Sequence, residues 1–133
     1  MSQENVEVVR RCMELWPERE FERIPEFFDP EIVIDLSRNV FNPDVYHGFD
    51  GVERFLQGVY ETWERFEVEI EEAIDGGDVV ATPSRMSGKG RGSGVETEMQ
   101  IFQVWTLRAG RIVTVVGGYR DRTTALGAAG LAE

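Results

Sequence analysis

The sequence lacks the features of disulfide-linked, histidine-metal and membrane-spanning proteins. Cys12 is the single cysteine of the 133 residues, so no disulfide can form within the chain. His47 is the single histidine, which excludes a metal site built on a histidine cluster. No apolar run approaches the length of a membrane span or a signal-peptide core. We therefore expect a cytoplasmic protein.

Basic residues are scarce as well. Fourteen Lys and Arg face 25 Asp and Glu, which gives a net charge of −11. This charge repels phosphate backbones and anionic lipid surfaces, so neither nucleic acid nor membrane is an expected partner. The acidic stretch at residues 67–72 is interpreted as a solvated surface.

What the sequence does contain is enough apolar material for one core. The hydrophobic fraction is 41%, with Phe 8, Trp 3 and Tyr 3. At this length we predict a single domain over residues 1–133.

The first third of the chain predicts two helices and a strand. A cap at Ser2 and an apolar stripe through Val6 and Val9 predict a helix to about Trp16. A short helix is predicted over 21–28, ended by Asp29 and Pro30. A strand over 31–36 and a turn-rich loop over 37–48 follow.

The middle third predicts a long helix and then a hairpin. Asp50 and Glu53 resemble a capping box, and aromatic spacing extends the predicted helix through Trp63 to Phe66. Strands are predicted over 68–74 and 79–87, with a turn at 75–78 and Pro83 at an edge or bulge. The glycine-rich segment 88–94 lacks phosphate-loop spacing and is interpreted as a hairpin connection.

The last third is dominated by a predicted long hairpin over residues 95–119, with its turn at 108–111. Both faces of its first strand mix apolar and polar residues, which favours packing on one face and a polar cavity or interface on the other. Gly117 and Gly118 indicate a bend, a bulge, or room for a ligand or neighbouring backbone. A short capped helix is predicted from Asp121. The order of elements predicts an α+β fold.

Several segments together resemble the SnoaL-like branch of the nuclear-transport-factor-2-like superfamily, which includes the ketosteroid isomerases. The segments are 4–10, 28–33, 46–48, 90–95, 104–112, 119–122 and 125–126. The resemblance implies a cone-shaped α+β barrel in which three helices cover a curved antiparallel sheet that encloses a pocket. It also implies a homodimer formed through the sheet. On this basis Glu98, Gln100 and Phe102 should face the pocket, and Trp105 should be exposed in a monomer and buried in the dimer.

The same resemblance nominates catalytic residues. Asp35 matches the position of the general base in ketosteroid isomerases, and burial at a pocket mouth would raise its pKa. The alternative is a strand-end aspartate that is hydrogen-bonded to the turn at 37–39. His47 could assist in acid–base work near neutral pH, or be an exposed loop residue without a role. Tyr119 is an alternative helper.

The isomerase pattern is not complete. Its tyrosine and acid positions fall on Cys12 and Phe102, so steroid isomerase activity is not expected, since the oxyanion would lack both donors. Cys12 is interpreted as a buried apolar residue. The candidate substitute donors are Gln100, Gln103, Tyr60 and Tyr119. The candidate ligand-binding residues are Tyr60, Trp63, Arg85, Gln100, Phe102 and Tyr119.

Two functions follow as hypotheses. The first is a cofactor-independent acid–base isomerase, cyclase or dehydratase acting on a small apolar substrate that bears a carbonyl. The second is a non-catalytic ligand-binding or dimeric accessory module of the same fold.

Overall fold

A computed structural model describes residues 2–15, 21–39 and 43–131 of the chain. Its helices are α1 (Ser2–Leu15), a 3-10 turn (Phe21–Arg23) that leads into α2 (Ile24–Phe27), α3 (Gly48–Thr62) and α4 (Arg122–Ala128). Its strands are β1 (Phe28–Asp35), β2 (Val45–His47), β3 (Trp63–Ile70), β4 (Ile74–Asp75), β5 (Val79–Gly90), β6 (Glu96–Arg108) and β7 (Arg111–Val116). Within these ranges, no helix has the length and apolar content to cross a membrane.

The strands form one curved, open sheet in the order β2-β1-β7-β6-β5-β3, with β4 paired to β5. The predicted α+β class is confirmed. One pair departs from the predicted antiparallel sheet, because β1 runs parallel to β7. The two strands are far apart in sequence, and no local turn signal could reveal their relative direction.

Side chains alternate between two faces of the sheet, and we call the face covered by α1 and α3 the inner face. Buried inner-face residues of β1, β6 and β7 join apolar residues of the helices in one core. That core contains Val6, Val9, Cys12, Ile24, Phe27, Ile32, Ile34, Val52, Leu56, Val80, Trp105, Leu107, Ile112 and Val115. The opposite, outer face is covered in part by α4, which contacts β5 and β6 near the buried Val104 and Ala81.

The first helix is confirmed, with Ser2 as its first helical residue instead of a preceding cap, and Val6, Val9 and Cys12 are buried along its stripe. Trp16, its predicted last residue, lies outside the described residues. Burial raises the pKa of the Cys12 thiol to about 12, so the thiol is neutral and inert, consistent with its interpretation as a small apolar residue.

The long helix ends earlier than predicted. α3 stops at Thr62, and Trp63 and Phe66 belong to β3, where Phe66 pairs with Gly88. Arg91 satisfies the carbonyls at the helix end: its side chain donates to the carbonyl oxygens of Tyr60 and Trp63 at 2.8 and 3.1 Å. An aromatic at every third position fits a helix, but strand pairing with β5 prevails beyond this cap.

Three local predictions in the first half are wrong. Asp29 and Pro30 do not end a helix but lie inside β1, and β2 occupies part of the predicted loop. Asp50 is not a cap, because α3 begins at Gly48 with His47 as an N-cap that makes no side-chain capping bond. The pairing of β1 with β2 and β7 supplies the hydrogen bonds that define these boundaries.

Predictions for the second half are confirmed more often. β6 and β7 form the long hairpin, and Asp121 caps α4 by accepting a 2.7 Å hydrogen bond from the Thr124 N–H. Pro83 lies at an irregularity, where its carbonyl accepts from the N–H groups of Glu71 and Glu72 between β3 and β4. Proline is tolerated there because the regular ladder is interrupted.

Candidate functional site

The inner face is covered unevenly. Its β1 and β7 side is packed under α3 and α1, whereas Phe66, Val68 and Ile70 of β3 are only half-buried. On β6, Ile101 is half-buried and Met99 is 41% exposed. The sheet therefore presents an apolar surface on its β3, β5 and β6 side, which we call the apolar strip: Phe66, Val68, Ile70, Met99 and Ile101.

Aromatic side chains of α3 and β3 border the apolar strip. Trp63 lies against Gly88, where an added Cβ atom would come within 2.7 Å of the indole Cε3. The Trp63 and Phe66 ring centroids are 5.7 Å apart, and Tyr60 is half-buried against the core. Two of the predicted ligand-binding residues, Tyr60 and Trp63, thus lie beside the inner face.

Three polar residues follow the apolar strip toward the core, and we call Thr82, Ser84 and Gln103 the polar strip. Thr82 and Ser84 are fully buried at 0% exposure, and Thr82 pairs with Gln103 across the ladder. The Trp105 indole N–H donates to Thr82 Oγ1 at 2.8 Å, and Ser84 Oγ donates to the Thr82 carbonyl at 3.0 Å. Among the described residues, no donor reaches the buried Gln103 Oε1. An unpaired buried carbonyl costs about 1–3 kcal/mol, so this atom is a candidate contact for a ligand.

The predicted assignment of the faces of β6 is wrong. Trp105 is 4% exposed in the single chain and belongs to the core, so Met99, Ile101 and Gln103, which alternate with it, are on the inner face. Gln100 and Phe102 face outward, as does Arg85, which pairs with Gln100. Three predicted ligand-binding residues are therefore not on the inner face, and Trp105 needs no partner subunit to be buried.

Arg85 and Gln100 instead belong to a charged network on the outer face. Arg85 contacts Glu98 at 2.6 Å and Glu71 at 3.5 Å, and Gln100 donates to Glu71 at 3.2 Å. The hydrogen bond with Glu98 is the main cause of the raised pKa of Arg85. The interpretation of this acidic stretch as a solvated surface is confirmed, since Glu67, Glu69, Glu71 and Glu72 are exposed. Charges beside the edge strand β3 also disfavour pairing with another chain's strand.

Asp35 does not lie in an apolar environment. It alternates with the buried Ile34 and therefore faces outward, and its Oδ1 accepts from the Ser37 hydroxyl at 2.6 Å and the Ser37 N–H at 3.0 Å. These two bonds are the main reason that the pKa of Asp35 is lowered. The predicted rise in its pKa is wrong, and the alternative of a strand-end aspartate bound to the following turn is confirmed.

His47 and Tyr119 are also away from the apolar strip. His47 is exposed at the end of β2 and pairs with Val33, which places it on the same face as Asp35. Tyr119 is half-buried under the Arg38 guanidinium, 5.0 Å from its ring centroid. The structure thus brings Asp35 and His47 to one face of β1 and β2, and places neither on the inner face.

Charged groups are scarce on the inner face. Tyr46 faces inward opposite Ile34, with its ring centroid 5.3 Å from that of Phe55. Burial, followed by the nearby Asp44 charge, raises the pKa of Tyr46. The described part of the inner face carries no carboxylate and no imidazole, and its ionisable groups Cys12 and Tyr46 are neutral at pH 7. In the same described ranges, no three His, Cys, Asp or Glu side chains are grouped to hold a metal.

Comparisons with known proteins agree with this architecture. Residues 9–115 match the family model of the SnoaL-like domain. The chain belongs to the SnoaL-like family. Among curated proteins, none matches this SnoaL-like sequence significantly.

Solved structures share the fold at low identity. A protein of Jannaschia sp. CCS1 described as a SnoaL-like polyketide cyclase is 20% identical, with a TM-score of 0.76 over 88% of this chain and 85% of that chain. A Catenulispora acidiphila protein with a ketosteroid isomerase-like fold, in complex with trimethylamine, is 16% identical, with a TM-score of 0.75 over 95% and 94%. TerC, co-crystallised with polyporic acid, is 18% identical, with a TM-score of 0.73 over 95% and 97%.

Proposed function

We propose that this SnoaL-like protein binds a small, neutral, largely apolar organic molecule on the inner face of its sheet. The observation that carries the proposal is the apolar strip, which the helices leave partly exposed at the concave side of the sheet. Related structures support the binding of a small organic molecule, since the Catenulispora protein was solved in complex with trimethylamine and TerC was co-crystallised with polyporic acid.

The chemistry of the strip explains why the ligand should be neutral. Phe66, Val68 and Ile101 offer apolar surface, and covering such surface stabilises a complex by about 25 cal/mol per Å². A charged ligand would lose its hydration there without a counter-ion, because none of the five residues of the apolar strip is ionisable. Trp63 and Tyr60 at the border add aromatic surface suited to a flat ligand.

A pair of neighbouring substitutions tests the location. With the neutral dye Nile red as the probe, Ile101→Lys should weaken binding about tenfold or more, because it removes apolar contact and adds a charge. Gln100→Lys places the same charge one residue away on the outer face and should leave the dissociation constant within about twofold. Fluorescence titration measures both constants, and circular dichroism checks that both variants fold.

The opposite pattern would contradict the proposal. Loss of binding in Gln100→Lys with full binding in Ile101→Lys would place the ligand on the outer face, as the original assignment of β6 required. Equal dye binding by both variants and the unmodified chain would mean that neither face holds the ligand.

A second candidate function is acid–base catalysis by Asp35 and His47 as an isomerase, cyclase or dehydratase. The observation in its favour is that the β1–β2 register places both side chains on one face. Against it stand the bonds from Ser37, which lower the pKa of Asp35 and make its carboxylate a weak base at neutral pH.

This candidate has its own test. In assays with polycyclic ketones, Asp35→Asn should lower kcat about a hundredfold or more if the carboxylate is the base. Asp78→Asn, at an exposed turn position, should leave kcat unchanged. Equal turnover by Asp35→Asn and the unmodified chain would exclude Asp35 as a catalytic base.

A further inference from the structure

Donors at the polar strip have hydrogen-bond partners, whereas one of its acceptors has none among the described residues. The Trp105 N–H donates a hydrogen bond to Thr82 Oγ1, and the Ser84 hydroxyl donates one to the Thr82 carbonyl oxygen. Each of these donors therefore has its acceptor inside the protein. Gln103 Oε1 is the opposite case: it is buried, and the described residues offer it no donor.

Most of the described atoms around Gln103 are apolar. The Gln103 stem lies beside Gly117, where an added Cβ atom would be 3.8 Å from Gln103 Cγ and 2.9 Å from Leu36 Cδ2. The neighbours on its own face of β6 are Ile101 and Trp105, and the Trp105 N–H is already committed. No hydrogen bond to this oxygen forms among the described residues, so a bound molecule can supply one.

We infer that the ligand carries a neutral hydrogen-bond donor, a hydroxyl or an N–H group, that pairs with Gln103 Oε1 while its apolar body covers the apolar strip. This inference rests on the proposed function and adds the chemical class of the ligand. Gln103 is half-buried as a whole, and its terminal torsion has a broad energy profile. Rotation about that torsion can turn the oxygen toward a ligand on the strip.

The unpaired Gln103 Oε1 disfavours a ligand whose polar group can only accept hydrogen bonds. A ketone or an ether can accept from the Gln103 amide N–H, but it leaves Oε1 without a donor. A carboxylate would add a buried charge with no cation opposite it in the apolar strip or the polar strip. The substrate class predicted from the resemblance, an apolar molecule with a carbonyl, therefore fits this site only when the molecule also bears a hydroxyl or an N–H.

Two matched fluorescent probes test the inference. 2-Naphthol has a donor, whereas 2-methoxynaphthalene has the same ring system and only an acceptor. 2-Naphthol should bind the unmodified protein roughly tenfold more tightly, although it is the less apolar compound. Gln103→Met keeps the length of the side chain and removes both amide atoms, so it should abolish this preference. Gln57→Met, the same change on an exposed position of α3, should retain it.

The outcomes separate this inference from the proposed function. If both probes bind equally well to the unmodified protein, or if the preference persists in Gln103→Met, the donor inference is wrong while binding at the strip stands. If neither probe binds, both are wrong. Thermal unfolding adds a readout without ligand: Gln103→Met should melt at or above the temperature of the unmodified protein, because it removes an unpaired buried carbonyl, and a clear fall would show that Oε1 already has a partner.

Discussion

Replacing Trp105 with alanine should lower the free energy of unfolding by about 3–5 kcal/mol. The indole is 4% exposed and packs within the main core, so its removal leaves a cavity. It also leaves Thr82 Oγ1, at 0% residue exposure, without its 2.8 Å donor. Urea denaturation followed by circular dichroism measures the change.

Two milder variants divide this effect into its parts. Trp105→Phe keeps most of the ring and should cost about 1–3 kcal/mol, mainly because Thr82 loses its donor. Adding Thr82→Val to Trp105→Phe should recover part of that loss, since both partners of the hydrogen bond are then apolar. A Trp105→Ala protein as stable as the unmodified chain would contradict the burial of Trp105. A loss that appears only at concentrations where a dimer forms would instead support the original dimer-interface assignment.

Replacing Gly118 with alanine should cost about 2–4 kcal/mol and lower the melting temperature by roughly 10 °C. The residue has φ +84°, which side chains rarely adopt, and an added Cβ atom would lie 2.7 Å from Asn39 Oδ1 and 2.8 Å from Asn39 N. The Asn39 backbone cannot move aside to relieve this clash as the end of a flexible side chain could. The contact also confirms one of the predicted alternatives for Gly118, room for neighbouring backbone, whereas Gly117 lies against the side chains of Leu36 and Gln103.

Gly92 offers a matched control for Gly118. It has φ +87°, but no atom lies within 4 Å of an added Cβ. Gly92→Ala should therefore show only the conformational cost, about 1–2 kcal/mol. Calorimetry on both variants tests the difference, and equal melting temperatures would mean that the contact with Asn39 has no energetic weight.

Much of the fold could be predicted from sequence because its signals are local. The alternation along β6 and β7, the stripe of α1 and the cap at Asp121 each depend on residues within a few positions of one another. The errors occur where pairing between strands that are far apart in sequence sets the secondary structure. Trp63 and Phe66 fit helical spacing, but they become part of β3 because β5 offers a partner strand.

The candidate site was predicted less well, for a related reason. The sequence suggests Gln103 only as one of several substitute donors, and it assigns no role to Thr82 and Ser84. A signal was present: Thr82 and Ser84 alternate with each other between Val80 and Met86 on one face of β5, which indicates a polar row within an apolar face. The family pattern nominates Asp35 by position alone, and the contact with Ser37 enters only through the alternative of a strand-end aspartate bound to the following turn.

The sequence by itself determined the α+β class, the order of most elements, the long final hairpin and the lack of a histidine cluster or disulfide. It also divided β6 into two sets of alternating residues, but it could not say which set is covered. Only the tertiary structure decided that, because α1 and α3 pack on the side of Trp105 and leave Gln100 and Phe102 outside. Alternation is a property of the strand alone, whereas burial depends on where the rest of the chain packs.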